Sequence, residues 1–159
     1  GGNLNFPGSK SQLFHTDGNW NPRMIIVNIA TSDINLKNGP IEVLPKTHKE
    51  NIPYWKYVIK SKFFFRKKIE LKIGEILIRE HRLWHRGTTN KSNQLREMVG
   101  IMFIKKKEII ENKLNTSKNV KLYSNMYDKS FKGKLLEFIF LYFKFLIVIY
   151  KIYLSLKKK

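Results

Sequence analysis

No cysteine occurs among the 159 residues, so disulfide scaffolds, thiolate zinc sites and cysteine nucleophiles are excluded. That absence fixes no compartment, because a reduced cytosol and an oxidising exterior both permit it. Acidic residues are scarce too: 12 Asp and Glu face 31 Lys and Arg, for a net charge of +19. The chain opens Gly1-Gly2-Asn3, without a Met or a basic-then-apolar leader. No secretory signal is visible, and the sequence reads as a fragment or a trimmed copy. Internal repeats are also missing. What is present is an apolar content of 42%, enough for one core in a chain of single-domain size. A multidomain machine and a disordered chain are both excluded.

The basic excess is unevenly spread: +1 over residues 1–50, +5 over 51–70, +3 over 71–100 and +10 over 101–159. Such an excess attracts polyanions, whether nucleic acid or anionic lipid. No nucleic-acid motif accompanies it, so an Ile-, Lys- and Asn-rich coding bias with solvated lysines is the plainer account. Nucleic acid is not the expected partner.

Along the chain the pattern is one of short strands. Residues 11–17, Ser-Gln-Leu-Phe-His-Thr-Asp, predict a strand running into a turn at Asp17-Gly18. Met24 to Ala30 is a nearly continuous apolar run of strand length, which predicts a strand covered on both faces. Asn38-Gly39-Pro40 is a turn signal leading into a strand over 41–44 that Pro45 stops. Residues 51–65 read as irregular and aromatic, equally suited to a substrate lid or to an apolar loop packed under a barrel. From Lys68 the sequence alternates, with Ile69, Leu71 and Ile73 predicted to share one face. Gly74-Glu75 turns the chain into a strand at 76–78, and residues 98–104 make a further strand. Turn-bounded strands with no amphipathic helix between them predict an antiparallel sandwich or barrel.

Four histidines are available, His15, His48, His81 and His85. His15-Thr16-Asp17 is the informative one, because residues i and i+2 of a strand face the same side and can reach one metal ion together. A later histidine from another strand would complete a two-His, one-carboxylate triad, which leaves coordination positions open for non-haem Fe(II) chemistry. By itself a His-x-Asp triplet is weak, since many occur at surface turns.

Three blocks give it support. They are Gln12-Leu13-Phe14-His15-Thr16-Asp17-Gly18, then Asn38-Gly39-Pro40-Ile41-Glu42-Val43-Leu44-Pro45-Lys46-Thr47-His48, and then Gly74-Glu75-Ile76-Leu77-Ile78 through Leu83-Trp84-His85-Arg86-Gly87 to Asn90, Ser92 and Arg96. In this order they resemble the phytanoyl-CoA dioxygenase (PhyH) family of Fe(II)- and 2-oxoglutarate-dependent oxygenases. The resemblance implies that His15, Asp17 and His85 are the metal ligands and that Arg96 anchors the distal carboxylate of 2-oxoglutarate. An Arg suits that task because its planar fork meets a carboxylate with two parallel hydrogen bonds. Some members carry a hydroxyl two residues after the distal histidine. Here that position is Gly87, with Thr88 next door as the substitute. His81 is expected to be an exposed loop residue and His48 a structural turn residue, neither a ligand.

The resemblance further implies a mainly β fold, a double-stranded β-helix (a cupin-like jelly roll), N-terminally incomplete, and the apolar run at 135–156 adds a C-terminal apolar helix. Fourteen residues before His15 are too few for the helices and initial core strand expected there. Residues 1–110 are assigned to the oxygenase core, 111–134 to a basic linker and 135–159 to an amphipathic or membrane-associated helix. The implied activity is hydroxylation of a small organic substrate with O2, giving succinate and CO2. Because the Asp17 carboxylate is present, hydroxylation rather than halogenation is expected. The alternative is a non-catalytic jelly-roll remnant that binds a membrane or protein partner through its basic tail.

The tail, residues 135–156, spans about 33 Å as a helix, enough to cross a bilayer. Glu137, Lys144, Lys151 and Lys158 recur every seven residues, however, and make one narrow charged stripe. Insertion of the fifteen Leu, Ile, Val and Phe residues, roughly 5–9 kcal/mol, is nearly cancelled by roughly 2.5–3.5 kcal/mol for each central Lys. A helix lying on an anionic membrane surface, or packed on a partner, fits better than a span. Tyr142, Tyr150, Tyr153 and Lys157-Lys158-Lys159 suit such a surface. The expected location is cytoplasmic and peripheral at the membrane.

Overall fold

Alternating branched and apolar residues separated by Gly, Asn and Pro turns make this chain a set of short antiparallel strands. The computed structural model describes residues 1–17, 23–105, 135, 139 and 143–157. The strands are β1 (Gly2–Asn5), β2 (Met24–Ala30), β3 (Ile41–Val43), β4 (Lys67–Ile69), β5 (Ile76–Glu80), β6 (His85–Gly87) and β7 (Arg96–Ile104). The helices are α1 (Tyr54–Lys60) and α2 (Lys144–Lys157), and a 3-10 turn covers Thr47–Lys49. One sheet has the order β1-β7-β2-β5 and the other β4-β3-β6. Every pairing is antiparallel.

The two sheets share one core, in which Ala30 and Met98 from the first meet Ile41 and Val43 from the second, with Ile34 beside them. Truncating such a residue, Ile41→Ala for instance, costs about 2–5 kcal/mol. The jelly-roll architecture expected from the sequence is the one observed. Its second sheet is set by the Asn38-Gly39-Pro40 turn, where Asn38 Oδ1 accepts from the Asn35 N–H at 2.8 Å and Gly39 takes a φ of +89°. A side chain at 39 would run into Asn5 Nδ2 and the Thr88 carbonyl.

Several expectations need correcting. β2 buries only its Ile26, Asn28 and Ala30 face, while Ile25 on the other face is 41% exposed. Ile73 does not continue the Ile69–Leu71 face: Asp33 Oδ1 captures its N–H at 2.9 Å, the turn at Gly74 begins, and the side chain is exposed. Residues 54–60, read as irregular, form α1, which starts just after Pro53 with an extended N-cap. Residues 2–5, within a stretch considered too short to supply a core strand, form β1 and pair with β7.

The chain divides into two units, Gly1–Asn51 with Phe64–Ser117 and Ile52–Phe63 with Lys118–Lys159. In the second, α1 packs on α2. The Lys151 ammonium sits 5.3 Å from the Tyr54 ring centroid, and the Trp55 N–H donates to Ser155 Oγ at 3.3 Å. Among the described residues, no helix is long and apolar enough to cross a membrane. The basic linker 111–134, Glu137, Tyr142, Lys158 and Lys159 lie outside the described residues.

Candidate metal centre and its cavity

The site begins at an isolated antiparallel bridge between His15 and His85. Each backbone N–H donates to the other's carbonyl at 2.9 Å, so the two side chains emerge on the same side, with ring centroids 4.5 Å apart. The back of the bridge is held by Phe14, which is buried and has the Arg86 guanidinium 4.5 Å and the Arg66 guanidinium 5.5 Å from its ring centroid. Arg86 Nε in turn donates to Glu42 Oε2 at 2.6 Å on β3. Asp17 follows His15 by two residues, and its backbone N–H donates to the His81 carbonyl at 3.0 Å.

These constraints bring the three predicted ligands together. Asp17 Oδ1 lies 3.5 Å from His85 Nε2 and 3.8 Å from His15 Nε2. One ligand atom from each of the three residues falls within 4.8 Å of the other two. The tautomers are fixed in the same way twice: His15 Nδ1 lies 2.8 Å from the Leu13 carbonyl and His85 Nδ1 lies 2.9 Å from the Leu83 carbonyl. A carbonyl can only accept, so Nδ1 carries the proton and Nε2 faces Asp17, where it hydrogen-bonds the carboxylate when protonated and is free to ligate a metal when not. This arrangement fits a divalent metal ion. Burial of Asp17 would raise its carboxyl pKa, but His85 and Arg79 together override that and hold it well below the usual carboxylate range.

Arg79 was not foreseen from the sequence. Its Nη1 stands 2.6 Å from Asp17 Oδ2, a charge–charge contact rather than a well-angled hydrogen bond, and its Nε donates to Asn28 Oδ1 at 3.0 Å. The signal was there: alternation along β5 turns Leu77 and Arg79 inward, and a cation at an inward strand position calls for a buried partner.

Arg96 begins β7 and is 1% exposed. Nη1 donates to Asn3 Oδ1 at 2.8 Å, while Nε has no hydrogen-bond partner among the described residues. No carboxylate pairs with it among the described residues. Burial lowers its pKa to about 10, which still leaves it protonated at neutral pH. A buried cation without an anion is suited to receive one. It shares with His15, Asp17 and His85 a cavity of about 480 Å³, to which Asn28, Ile41 and Met98 also contribute.

Thr88, expected beside the co-substrate, is placed elsewhere and has to be corrected. Its hydroxyl donates to the Pro40 carbonyl at 2.8 Å, and its own carbonyl accepts from Asn5 Nδ2 at 3.0 Å. It does not line the cavity, whereas Gly87 and Gln12 do. His81 is fully buried rather than exposed, because the Met24 N–H donates to its Nδ1 at 3.0 Å, and it stays outside the ligand cluster. His48 lies in the 3-10 turn, also outside the cluster.

A two-sheet jelly roll with two histidines and one carboxylate converging in its cavity defines the class. Residues 7–98, more than half of the chain, match the family model of phytanoyl-CoA dioxygenase (PhyH), and the chain belongs to this family of Fe(II)- and 2-oxoglutarate-dependent oxygenases. Among solved structures it is similar to the non-heme alpha ketoglutarate dependent carbocyclase SnoK from nogalamycin biosynthesis (17% identity, TM-score 0.56, covering 62% of this chain and 45% of that one). It is also similar to EvdO2 from Micromonospora carbonacea var. aurantiaca complexed with 2-oxoglutarate (14%, 0.52, 64% and 48%). A third likeness is to the epimerase SnoN in complex with Fe3+, alpha ketoglutarate and nogalamycin RO (14%, 0.54, 74% and 55%). At these identities the likeness is one of fold. The chain spans about half the length of these proteins.

Proposed function

We propose that this chain is an Fe(II)- and 2-oxoglutarate-dependent oxygenase that hydroxylates a small organic substrate. The observation that carries the reading is the convergence of His15 Nε2, Asp17 Oδ1 and His85 Nε2 in one cavity with a buried, uncompensated Arg96. His15, Asp17 and His85 would hold Fe(II), and Arg96 would hold the distal carboxylate of 2-oxoglutarate. Bound there, the metal and co-substrate supply the O2-dependent oxidation, with release of succinate and CO2. The chain's own task is placement. The His15–His85 bridge fixes two ligands, Arg79 and the His81 carbonyl fix the third, and Ile26, Ile41 and Met98 give the cavity an apolar wall. Asp17 fills the carboxylate position, which supports hydroxylation over halide transfer.

The test is anaerobic loading with Fe(II), followed by metal content and O2-dependent succinate release from 2-oxoglutarate. Parent chain should take up one iron and release succinate, and His85→Ala should do neither. A parent chain that takes up no iron would leave the non-catalytic remnant as the better account.

Attachment of the tail to an anionic membrane surface belongs to the same proposal. It is supported by α2, which packs its Lys151 and Ser155 side on α1 and leaves Phe145, Ile149, Tyr150 and Tyr153 more than half exposed. An apolar helix face beside lysines suits a lipid headgroup layer.

A further inference from the structure

Gly87 and Gln12 face each other through a reciprocal pair of hydrogen bonds. The Gln12 N–H donates to the Gly87 carbonyl at 3.0 Å, and the Gly87 N–H donates to Gln12 Oε1 at 2.9 Å. A Cβ at position 87 would lie 3.1 Å from Gln12 Oε1 and 3.9 Å from Arg96 Nη2. The Gln12 carboxamide and the Arg96 guanidinium therefore flank one spot in the cavity, and a side chain at 87 would crowd the carboxamide. Because Oε1 is engaged by the Gly87 N–H, the remaining polar function of Gln12 is its NH2 group, which makes no hydrogen bond to described residues. Asn3 already occupies Arg96 Nη1. A carboxylate with about four lone-pair sites, buried against Arg96, needs donors beyond that guanidinium.

We infer that Gln12 is a second co-substrate-holding residue, its Nε2–H donating to the carboxylate that Arg96 anchors, in space left open by the missing side chain at Gly87. The inference rests on the reading of the cavity as a 2-oxoglutarate site. It assigns to Gln12 the contact expected of Thr88. It also makes the pair Gln12–Gly87 interdependent, since the carboxamide and a side chain at 87 compete for one volume.

The experiment is 2-oxoglutarate binding to the Fe(II)-loaded full chain without O2, by calorimetry and by the visible absorption of the ternary complex, with iron affinity measured alongside. Gln12→Ala should weaken 2-oxoglutarate binding about ten-fold, as expected for one hydrogen bond to a charged group. Gln12→Glu, close in shape but without the donor, should weaken it further, and iron affinity should not change in either. Gly87→Ser alone should weaken binding by crowding Gln12. In the Gln12→Ala background the same change should strengthen binding, because the space is then free and a hydroxyl donor enters it. Arg96→Ala separates this inference from the reading beneath it. If Arg96→Ala loses 2-oxoglutarate while both Gln12 variants bind like the parent, the Gln12 assignment alone is overturned. If the parent chain binds no 2-oxoglutarate, or Arg96→Ala binds it equally well, the co-substrate reading falls and Gln12 with it. A Gly87→Ser effect that is the same in both backgrounds would also overturn the pairing.

Discussion

Arg79 and the two bridged histidines divide the Asp17 carboxylate between them: Oδ2 stands 2.6 Å from Arg79 Nη1, while Oδ1 faces His85 and His15 at 3.5 and 3.8 Å. One oxygen is tied to Arg79, and under the proposed reading the other is left for the metal. Without a metal ion, Arg79 is the cation that compensates a largely buried carboxylate.

Arg79→Gln should therefore destabilise the metal-free chain by about 1–3 kcal/mol, as expected when a buried charge loses its partner. Saturation with a divalent metal should narrow the gap to the parent, because the ion supplies the missing positive charge and adds binding energy to the folded state. Thermal unfolding with and without Zn(II) reads both quantities. An equal loss in the two conditions would show that Arg79 serves the fold and not the carboxylate.

Ligand substitutions should sort the four histidines. His15→Ala, Asp17→Ala and His85→Ala should each lose iron, since each removes one atom of the cluster. His81→Ala should keep iron yet lower stability by about 1–3 kcal/mol, because it empties a buried position and leaves the Met24 N–H without its side-chain acceptor. Metal content set against melting temperature distinguishes the two groups. Iron loss in His81→Ala with retention in His85→Ala would reverse the ligand assignment.

The motif blocks make the placement of the candidate ligands legible, because a His-x-Asp triplet carries its geometry in the two-residue period of a strand, and the Asn38-Gly39-Pro40 turn carries its own φ requirement. The site's other members were hidden for a physical reason. Arg79 meets Asp17 across 62 residues, a contact set by sheet register rather than by local pattern. His81 looked like a loop residue because nothing near it in sequence reveals that Met24 supplies its partner. The run at 51–65 hid α1 behind aromatics and lysines with no clear helical stripe. Thr88 is suggested by its adjacency to Gly87, whereas alternation from Gly87 turns Thr88 away from the cavity toward Pro40.

The exposed side of α2 gives a separate expectation. Ile149→Asp together with Tyr153→Asp should abolish binding of the full chain to vesicles containing anionic lipid and leave iron content unchanged. Sedimentation with such vesicles at low salt checks it. A parent chain that ignores them would end the membrane reading.

Arg96 offers the sharpest test, since under the proposed reading it is a stability cost kept for a ligand. Burial lowers its pKa to about 10, well below the usual guanidinium range, so in the metal- and ligand-free chain at neutral pH the folded state carries a charge it would rather not bury. The sign follows: that penalty is present below about pH 10 and is relieved only as pH rises through it. Arg96→Met keeps the volume and removes the charge. It should leave the apo chain as stable as the parent or more so, as replacement of buried charges by apolar groups often does. The same variant should lose 2-oxoglutarate almost completely while binding iron nearly as before. Arg96→Lys should recover binding only in part, because a point charge on a flexible stem lacks the planar fork. Unfolding in denaturant and anaerobic 2-oxoglutarate titration on parent, Met and Lys variants give the two readouts. If Arg96→Met were strongly destabilised and still bound 2-oxoglutarate like the parent, Arg96 would be a structural residue and the co-substrate anchor would lie elsewhere in the cavity.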